Sequence, residues 1–234
     1  MTKKTSSLLL LCLSLFLIVG SARSDEFTVS SGVDVSPYEF LPTLSREGYT
    51  TLYVFDEENF HDFEAYIQFD LSGVVIPPDQ QVVSATFVIC YCFDYTAFGD
   101  TSQVPATVTL HEVTEAWDPN LVTWSNRPAA LQLIDQVDSI LNFGPMIFDV
   151  TPLAQGWLDG TDPNYGLALK SPTARVIGMH SFESTASAAL KATLLIQTEA
   201  IPPVPLLGPA GLILLTGALA GVGGFQLQRR GRLS

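Results

Sequence analysis

Residues 148–171 read FDVTPLAQGWLDGTDPNYGLALKS: a strand, a short helix, a turn and a second strand, with a signal at every junction. Ile147 to Val150 is a β-branched and aromatic run. Thr151 can cap a helix whose first position is Pro152, where a missing N–H costs nothing. Leu153 and Trp157 fall four apart on one helical face, with Ala154 and Leu158 beside them. Gly160 supplies a left-handed stop, and Asp162-Pro163-Asn164 turns the chain into the strand Tyr165 to Leu169. So short a helix is not stable alone, so its Leu/Trp face must press onto a sheet.

Outward from this stretch the chain reads as strands. On the N-terminal side, Phe27–Val35, Tyr49–Phe55 and Ala65–Leu71 are expected, the last alternating cleanly with Ala65, Ile67, Phe69 and Leu71 inward. From Val83, the positions Val83, Ala85, Phe87, Ile89, Tyr91 and Phe93 form one apolar face of a long central strand. Ala106–Val113, a short Leu121–Trp124, Leu131–Val137 and Met146–Val150 precede the helix; Val176–Phe182 and Ala192–Thr198 follow it. About ten short strands and one short helix predict an all-β fold, a two-layer antiparallel sandwich of jelly-roll type.

Four phrases stand in order along this region: Ala65 to Ser72 (AYIQFDLS), Val83 to Thr86, Ala116-Trp117-Asp118 with Val122 to Pro128, and the opening FDVTPLAQGWLDG…NYGLALKS. Together they resemble the DNRLRE-type (disaggregatase-related) β-sandwich domain over roughly residues 45–198. The resemblance implies a sandwich fold and a family with carbohydrate-binding members, often joined to catalytic domains.

The ends read differently. Lys3 and Lys4 precede an apolar run from Leu8 to Val19, and Ala22 and Ser24 suit cleavage before Asp25, so residues 1–24 are expected to be a secretory signal peptide. The sandwich domain is assigned to 25–200, and a Pro-rich junction to 201–205. Leu206 to Phe225 is uncharged and apolar, long enough to span a bilayer, within a transmembrane or sorting helix assigned to 206–227. Arg229, Arg230 and Arg232 in the tail 228–234 place the C-terminus in the cytoplasm and the domain outside. Proline motif, span and basic cluster resemble a bacterial PEP-CTERM-class sorting tail, although Pro203-Val204-Pro205 lacks that motif's central Glu. Pro202, Pro203, Pro205 and the three arginines are the expected sorting or processing residues, with an export-sorting peptidase as partner. A permanent anchor is the other reading. The protein is thus expected to be exported, and either held by its C-terminal helix or processed and released to the cell surface or matrix.

All 24 acidic residues, and only five of the 11 basic ones, lie in residues 25–200, so the domain carries a net charge of −19. Such a surface disfavours nucleic acid, anionic lipid and uronate polymers unless cations bridge them. Cys90 and Cys92 lie two apart on one strand face, at about 6.6–6.8 Å, the edge of what a disulfide spans, so packed thiols are favoured.

Trp117 and Trp124 flank Asp118-Pro119-Asn120, and with Arg127 they are candidate ligand-binding residues because aromatic platforms stack on sugar rings. The family resemblance instead sets both tryptophans beside strands, where they close the sandwich, and core packing is the stronger reading. Asp56, Glu57, Glu58 and Asp62, with Glu64, are candidate ligands for a hard cation, but their spacing fits no EF-hand and a solvated acidic loop is favoured. The resemblance leaves room for a structural calcium ion elsewhere; no other cofactor is expected. His61, His111 and His180 show no zinc spacing, and the chain has no nucleophile elbow, phosphate loop or dinucleotide fingerprint. The expected function is a non-catalytic exported surface module for glycan binding, adhesion, or matrix and envelope structure. The rival is an extracellular polysaccharide hydrolase or lyase on the same scaffold, its carboxylates not singled out by any motif.

Overall fold

The structure, a computed structural model, describes residues 23–56, 62–93 and 105–202. Among them are ten strands: β1 Glu26–Val35, β2 Thr51–Val54, β3 Ala65–Phe69, β4 Gln80–Tyr91, β5 Ala106–Glu112, β6 Leu133–Ile140, β7 Gly144–Asp149, β8 Leu167–Lys170, β9 Ile177–His180 and β10 Thr193–Ala200. One α-helix, α1 Thr151–Asp159, lies between β7 and β8. Two compact units divide the chain, Met1–Ala200 and Ile201–Ser234. Among the described residues no helix is long and apolar enough to cross a membrane. The predicted span 206–227 lies outside them, as do nearly all of the predicted signal peptide and the whole basic tail.

Every strand pairing is antiparallel, and β1 organises the sandwich by serving two sheets. Its first half, Glu26 to Ser30, pairs with β10, which continues to β4 and β7. Its second half, Ser31 to Val35, pairs with β3, which continues to β8, β5 and β6. The register slips between Ser31 and Val33, and the bulge at Gly32 bends the strand from one layer into the other. At the far side, the Asp149 N–H on β7 donates to the Asp135 carboxylate on β6 at 2.8 Å, joining the outer strands. The pair β2–β9 supplies Leu52, Val54, Ile177 and Met179 to the same core.

Period-two patterning puts Ala85, Phe87, Ile89 and Tyr91 of β4 and Ala65, Ile67 and Phe69 of β3 into that core. Val83 was expected on this face and is 41% exposed instead. The β10 register shifts between Gln197 and Thr198, opposite Ser84 and Val82, so Val83 is the bulged residue and turns outward. Phe93 lies beyond the end of β4 in a single bridge to Gly178.

Helix α1 begins one residue away from the expected cap. Val150 is its N-cap, and Pro152 lies in the first turn. The Asp149 carboxylate accepts the Thr151 N–H at 2.9 Å and its hydroxyl at 2.6 Å. Thr151 Oγ1 in turn accepts the Ala85 N–H at 2.9 Å, and Gln155 Oε1 accepts the Val82 N–H at 3.0 Å. Strand β7 has ended there, so helix side chains stand in for the strand that β4 has lost. Gly160 is left-handed at φ 75°, as the sequence requires, and Trp157 is 7% exposed in the core.

The short strand expected at Leu121–Trp124 does not form. Thr123 to Asn126 closes on itself: the Asn126 side-chain oxygen accepts the Thr123 N–H at 2.6 Å, and its amide nitrogen donates to Leu121 O at 3.0 Å. A 3₁₀ turn, Trp124–Asn126, results. The strand read from Tyr165 starts two residues later, because Gly166 sits at φ 90° against β3, where a Cβ would lie 2.3 Å from Ile67 O.

Candidate functional site

The segment between β5 and β6 leaves the sheet and returns to it, and its two ends are zipped by Glu112 N–H to Gln132 O and Thr114 N–H to Ala129 O. Val122 anchors the excursion in a small second core with Val35, Tyr66, Val113, Ala130 and Ala168. That anchor and the 3₁₀ turn hold the half-buried Trp124 at the mouth of a cavity of about 350 Å³. Its floor is Thr109 and His111 of β5 with Lys170 and Ser171 at the end of β8. Its walls are Glu64, Phe63, Asp62, Asp56, Phe55, Pro172 and Leu133. Strand pairing sets this floor: Leu110 faces Leu169, and Thr109 faces Lys170.

One buried carboxylate ties the cavity to the excursion. Glu64 Oε2 accepts Tyr66 Oη–H at 2.5 Å and Arg127 Nε–H at 3.1 Å, while Oε1 pairs with Lys170 Nζ at 3.5 Å. Burial, and then the Glu64 charge, holds the Tyr66 phenol far above its ordinary range, so it stays a proton donor. Arg127 also donates to Trp124 O at 2.7 Å and lies over the indole at 3.7 Å from its centroid. An aromatic plate backed by a fixed guanidinium keeps its rotamer, which makes it pre-organised for stacking. With three donors converging on it, Glu64 orients its neighbours.

The other ionisable groups follow from burial and charge. Burial, and secondarily the Lys170 ammonium, lowers the His111 pKa, so the imidazole is neutral at pH 7; its Nε2 lies 3.0 Å from Thr109 Oγ1. Partial burial raises the Asp56 carboxyl, and the Asp62 charge raises it further. Hydroxyls, carboxylates, an ammonium and an indole thus share one open cavity with the apolar Phe55, Phe63, Leu133 and Pro172, a set suited to holding a ligand with both a C–H face and hydroxyls.

The structure separates the two sequence-predicted tryptophans. Trp117 packs edge-on to Tyr66 at 6.1 Å and donates its indole N–H to Tyr165 O at 2.7 Å, closing the second core. It borders a different hollow, lined by residues 115–128 of the excursion itself. Trp124 and Arg127 meet, and Asp56 and Asp62, read from sequence as a separate cation loop, join them. Glu57 and Glu58 lie outside the described residues. No three His, Cys, Asp or Glu gather as for a metal ion among the described residues. Pro202 is described and exposed; Pro203, Pro205, Arg229, Arg230 and Arg232 are not described. Sequence reading missed Lys170, Thr109 and His111 as cavity residues. Alternation along β5 was the available signal, because Thr109 and His111 share the strand face opposite Leu110. Cys90 and Cys92 are free thiols.

Residues 48–198, which include the whole cavity lining, match the family described as carbohydrate-binding module family 96. No curated protein matches the chain.

Proposed function

Because the chain belongs to carbohydrate-binding module family 96, we propose that it is a non-catalytic, exported surface protein that holds glycan in the Trp124 cavity and serves adhesion or matrix and envelope structure. The observation that carries this reading is the half-buried Trp124 lining a cavity of mixed apolar and polar character, with the Arg127 guanidinium stacked on its indole. A pyranose ring has an apolar C–H face and an equator of hydroxyls. The indole matches the first, and Asp56, Asp62, His111 and Lys170 match the second. Glu64, the most enclosed carboxylate of the cavity, is engaged by Tyr66, Arg127 and Lys170, which favours binding over hydrolysis.

Export rests on the sequence alone: the basic and apolar N-terminus, and the proline-rich junction, apolar stretch and arginine cluster at the C-terminus. In this reading the arginines halt translocation, and a peptidase cuts near 202–205, where proline keeps the chain extended. Mass spectrometry of the native protein is expected to find a mature form starting at Asp25 and ending near this junction. An intact C-terminal peptide through Gln226 would leave a permanent anchor.

The binding claim is tested by screening the protein on a glycan array, with and without calcium, followed by reducing-sugar assays on every glycan retained. Retention without release of new reducing ends is the expected result. Release of reducing ends in proportion to protein would assign an enzyme instead.

A further inference from the structure

Strand β1 carries two polar side chains into the apolar core. Ser31 pairs with Phe69 and Asp34 with Ile67, and both of these β3 residues face inward. Paired residues of an antiparallel ladder share a face, so Ser31 and Asp34 point inward too. The Gly32 bulge makes them consecutive inward positions, although three apart in sequence they would otherwise stand on opposite faces. A third polar residue arrives from β9. The Ser181 N–H donates to Thr50 O at 3.2 Å, which carries the β2–β9 ladder one residue past His180. Alternation from Ile177 and Met179 then turns Ser181 inward, where it is fully buried. The next N–H, that of Phe182, donates to Asp34 Oδ2 at 2.8 Å and so brings Ser181 beside the carboxyl. Three buried oxygens there lack a hydrogen-bond partner among the described residues: Ser31 Oγ, Asp34 Oδ1 and Ser181 Oγ. Glu183, at the surface, brings a second carboxylate within hydrogen-bonding reach of Asp34. Two carboxylates are both acceptors, so neither satisfies the other unless something positive stands between them. The Lys191 ammonium does not, because its Nζ donates to Phe182 O at 2.8 Å and forms no ion pair with either carboxylate.

We propose that Asp34, Glu183, Ser31 and Ser181 form a binding site for a hard dication of calcium's kind, which fastens the loop between β9 and β10 onto β1. The side-chain donors are all oxygen, and their two carboxylates balance a dication; no nitrogen or sulfur is offered to a softer metal. The two hydroxyls add neutral ligands. Exposed Glu183 leaves a way in for the ion and room for water to complete its shell. Calcium's loose coordination suits ligands drawn from a strand and a loop, whereas magnesium demands a strict octahedron and gives up its water reluctantly. A buried carboxylate beside a like charge is costly, and unsatisfied hydroxyls add to that cost; a single ion removes both. None of the four residues lines the Trp124 cavity, so the site stands whether or not glycan binds there.

The test strips full-length protein in mild detergent with chelator, then melts it and titrates it calorimetrically with calcium, with magnesium, and with sodium at matched ionic strength. Calcium is expected to bind this site, magnesium about tenfold more weakly or worse, and sodium to have no effect beyond ionic strength. With calcium about a hundredfold above its Kd, the melting temperature should rise by about 5 °C or more. Asp34→Asn should abolish the calcium response, and Glu183→Gln should weaken binding about tenfold or more. The Asn side chain keeps an acceptor for the Phe182 N–H, so the first variant retains its fold and its silence is informative. In amide exchange on the wild-type protein, calcium should protect residues 181–192. Absence of any calcium response in the wild-type protein would overturn the proposal and leave the three oxygens to buried water. A response that survives Asp34→Asn would overturn it as well. So would a response lost in a combined Asp56→Asn and Asp62→Asn variant, which would move the ion to the acidic wall of the Trp124 cavity.

Discussion

Replacing Asp34 by Asn should remove a loss of stability that grows as pH rises. Asp34 is a charged residue type at 2% exposure on β1, on the face it shares with Ile67 of β3. Its Oδ2 accepts the Phe182 N–H at 2.8 Å, and its Oδ1 has no hydrogen-bond partner among the described residues. Burial raises its carboxyl from the ordinary 3.8 to about 7; the Phe182 N–H opposes the rise, and the Glu183 charge adds to it. Well below the ordinary 3.8 the group is neutral in both folded and unfolded chains, so its contribution to stability is fully present. As pH rises, the unfolded chain ionises first, and stability drains away until the folded carboxyl titrates near pH 7. At ~1.36 kcal/mol per pH unit, the loss across that window is about 4 kcal/mol. Asn keeps an acceptor for Phe182 N–H but does not ionise. Urea unfolding of both proteins at several pH values between about 4 and 8 isolates the term, because the other carboxylates cancel in the difference. The variant should gain about 4 kcal/mol on wild type over that range. Parallel profiles would show that Asp34 ionises freely in the fold, and the burial argument would fail.

Trp157→Ala should cost about 3–5 kcal/mol in thermal or chemical unfolding, since the side chain is 7% exposed and leaves a cavity between α1 and the sheet. Gly166→Ala should cost about 2–4 kcal/mol, because the residue combines φ 90° with an approach of 2.3 Å to Ile67 O. Ellman titration should find both Cys90 and Cys92 as thiols in the unfolded, unreduced protein. In the folded protein Cys92 should react slowly, since burial and the neighbouring Cys90 thiol push its pKa up to about 12.

The fold was readable where local chemistry and packing agree. Around Phe148–Ser171 the alternation before Val150, the proline in the first helical turn, the Leu153/Trp157 stripe and Gly160 all state the same structure, and the chain adopts it. Where a side chain competes with the backbone, period-two reading failed. Leu121–Trp124 looked like a strand, but Asn126 offers both an acceptor and donors to the same four residues, and a 3₁₀ turn wins. Val83 looked inward until the partner strand skipped a register, a fact held in β10 rather than in β4.

The cavity was half readable for a related reason. Trp124 and Arg127 stand three apart, and their stacking is local. Glu64 and Lys170, which lock them, lie 63 residues before Arg127 and 43 after it. Only the pairing of β3 with β8, with Ala65 opposite Leu169, brings them together. Trp117 and Trp124 look equivalent in sequence, yet an indole N–H bonded to Tyr165 O fixes one in a core, and a guanidinium fixes the other at a cavity mouth.

Amide hydrogen exchange on the protein with and without a retained glycan reads the location of binding directly. Protection is expected in peptides covering Thr109–His111, Trp124–Arg127 and Lys170–Ser171, three segments brought together only at this cavity. Protection centred instead on Trp117 and the hollow beside it, or on Gly32 and Gln68–Asp70, would place the glycan elsewhere and contradict the site described.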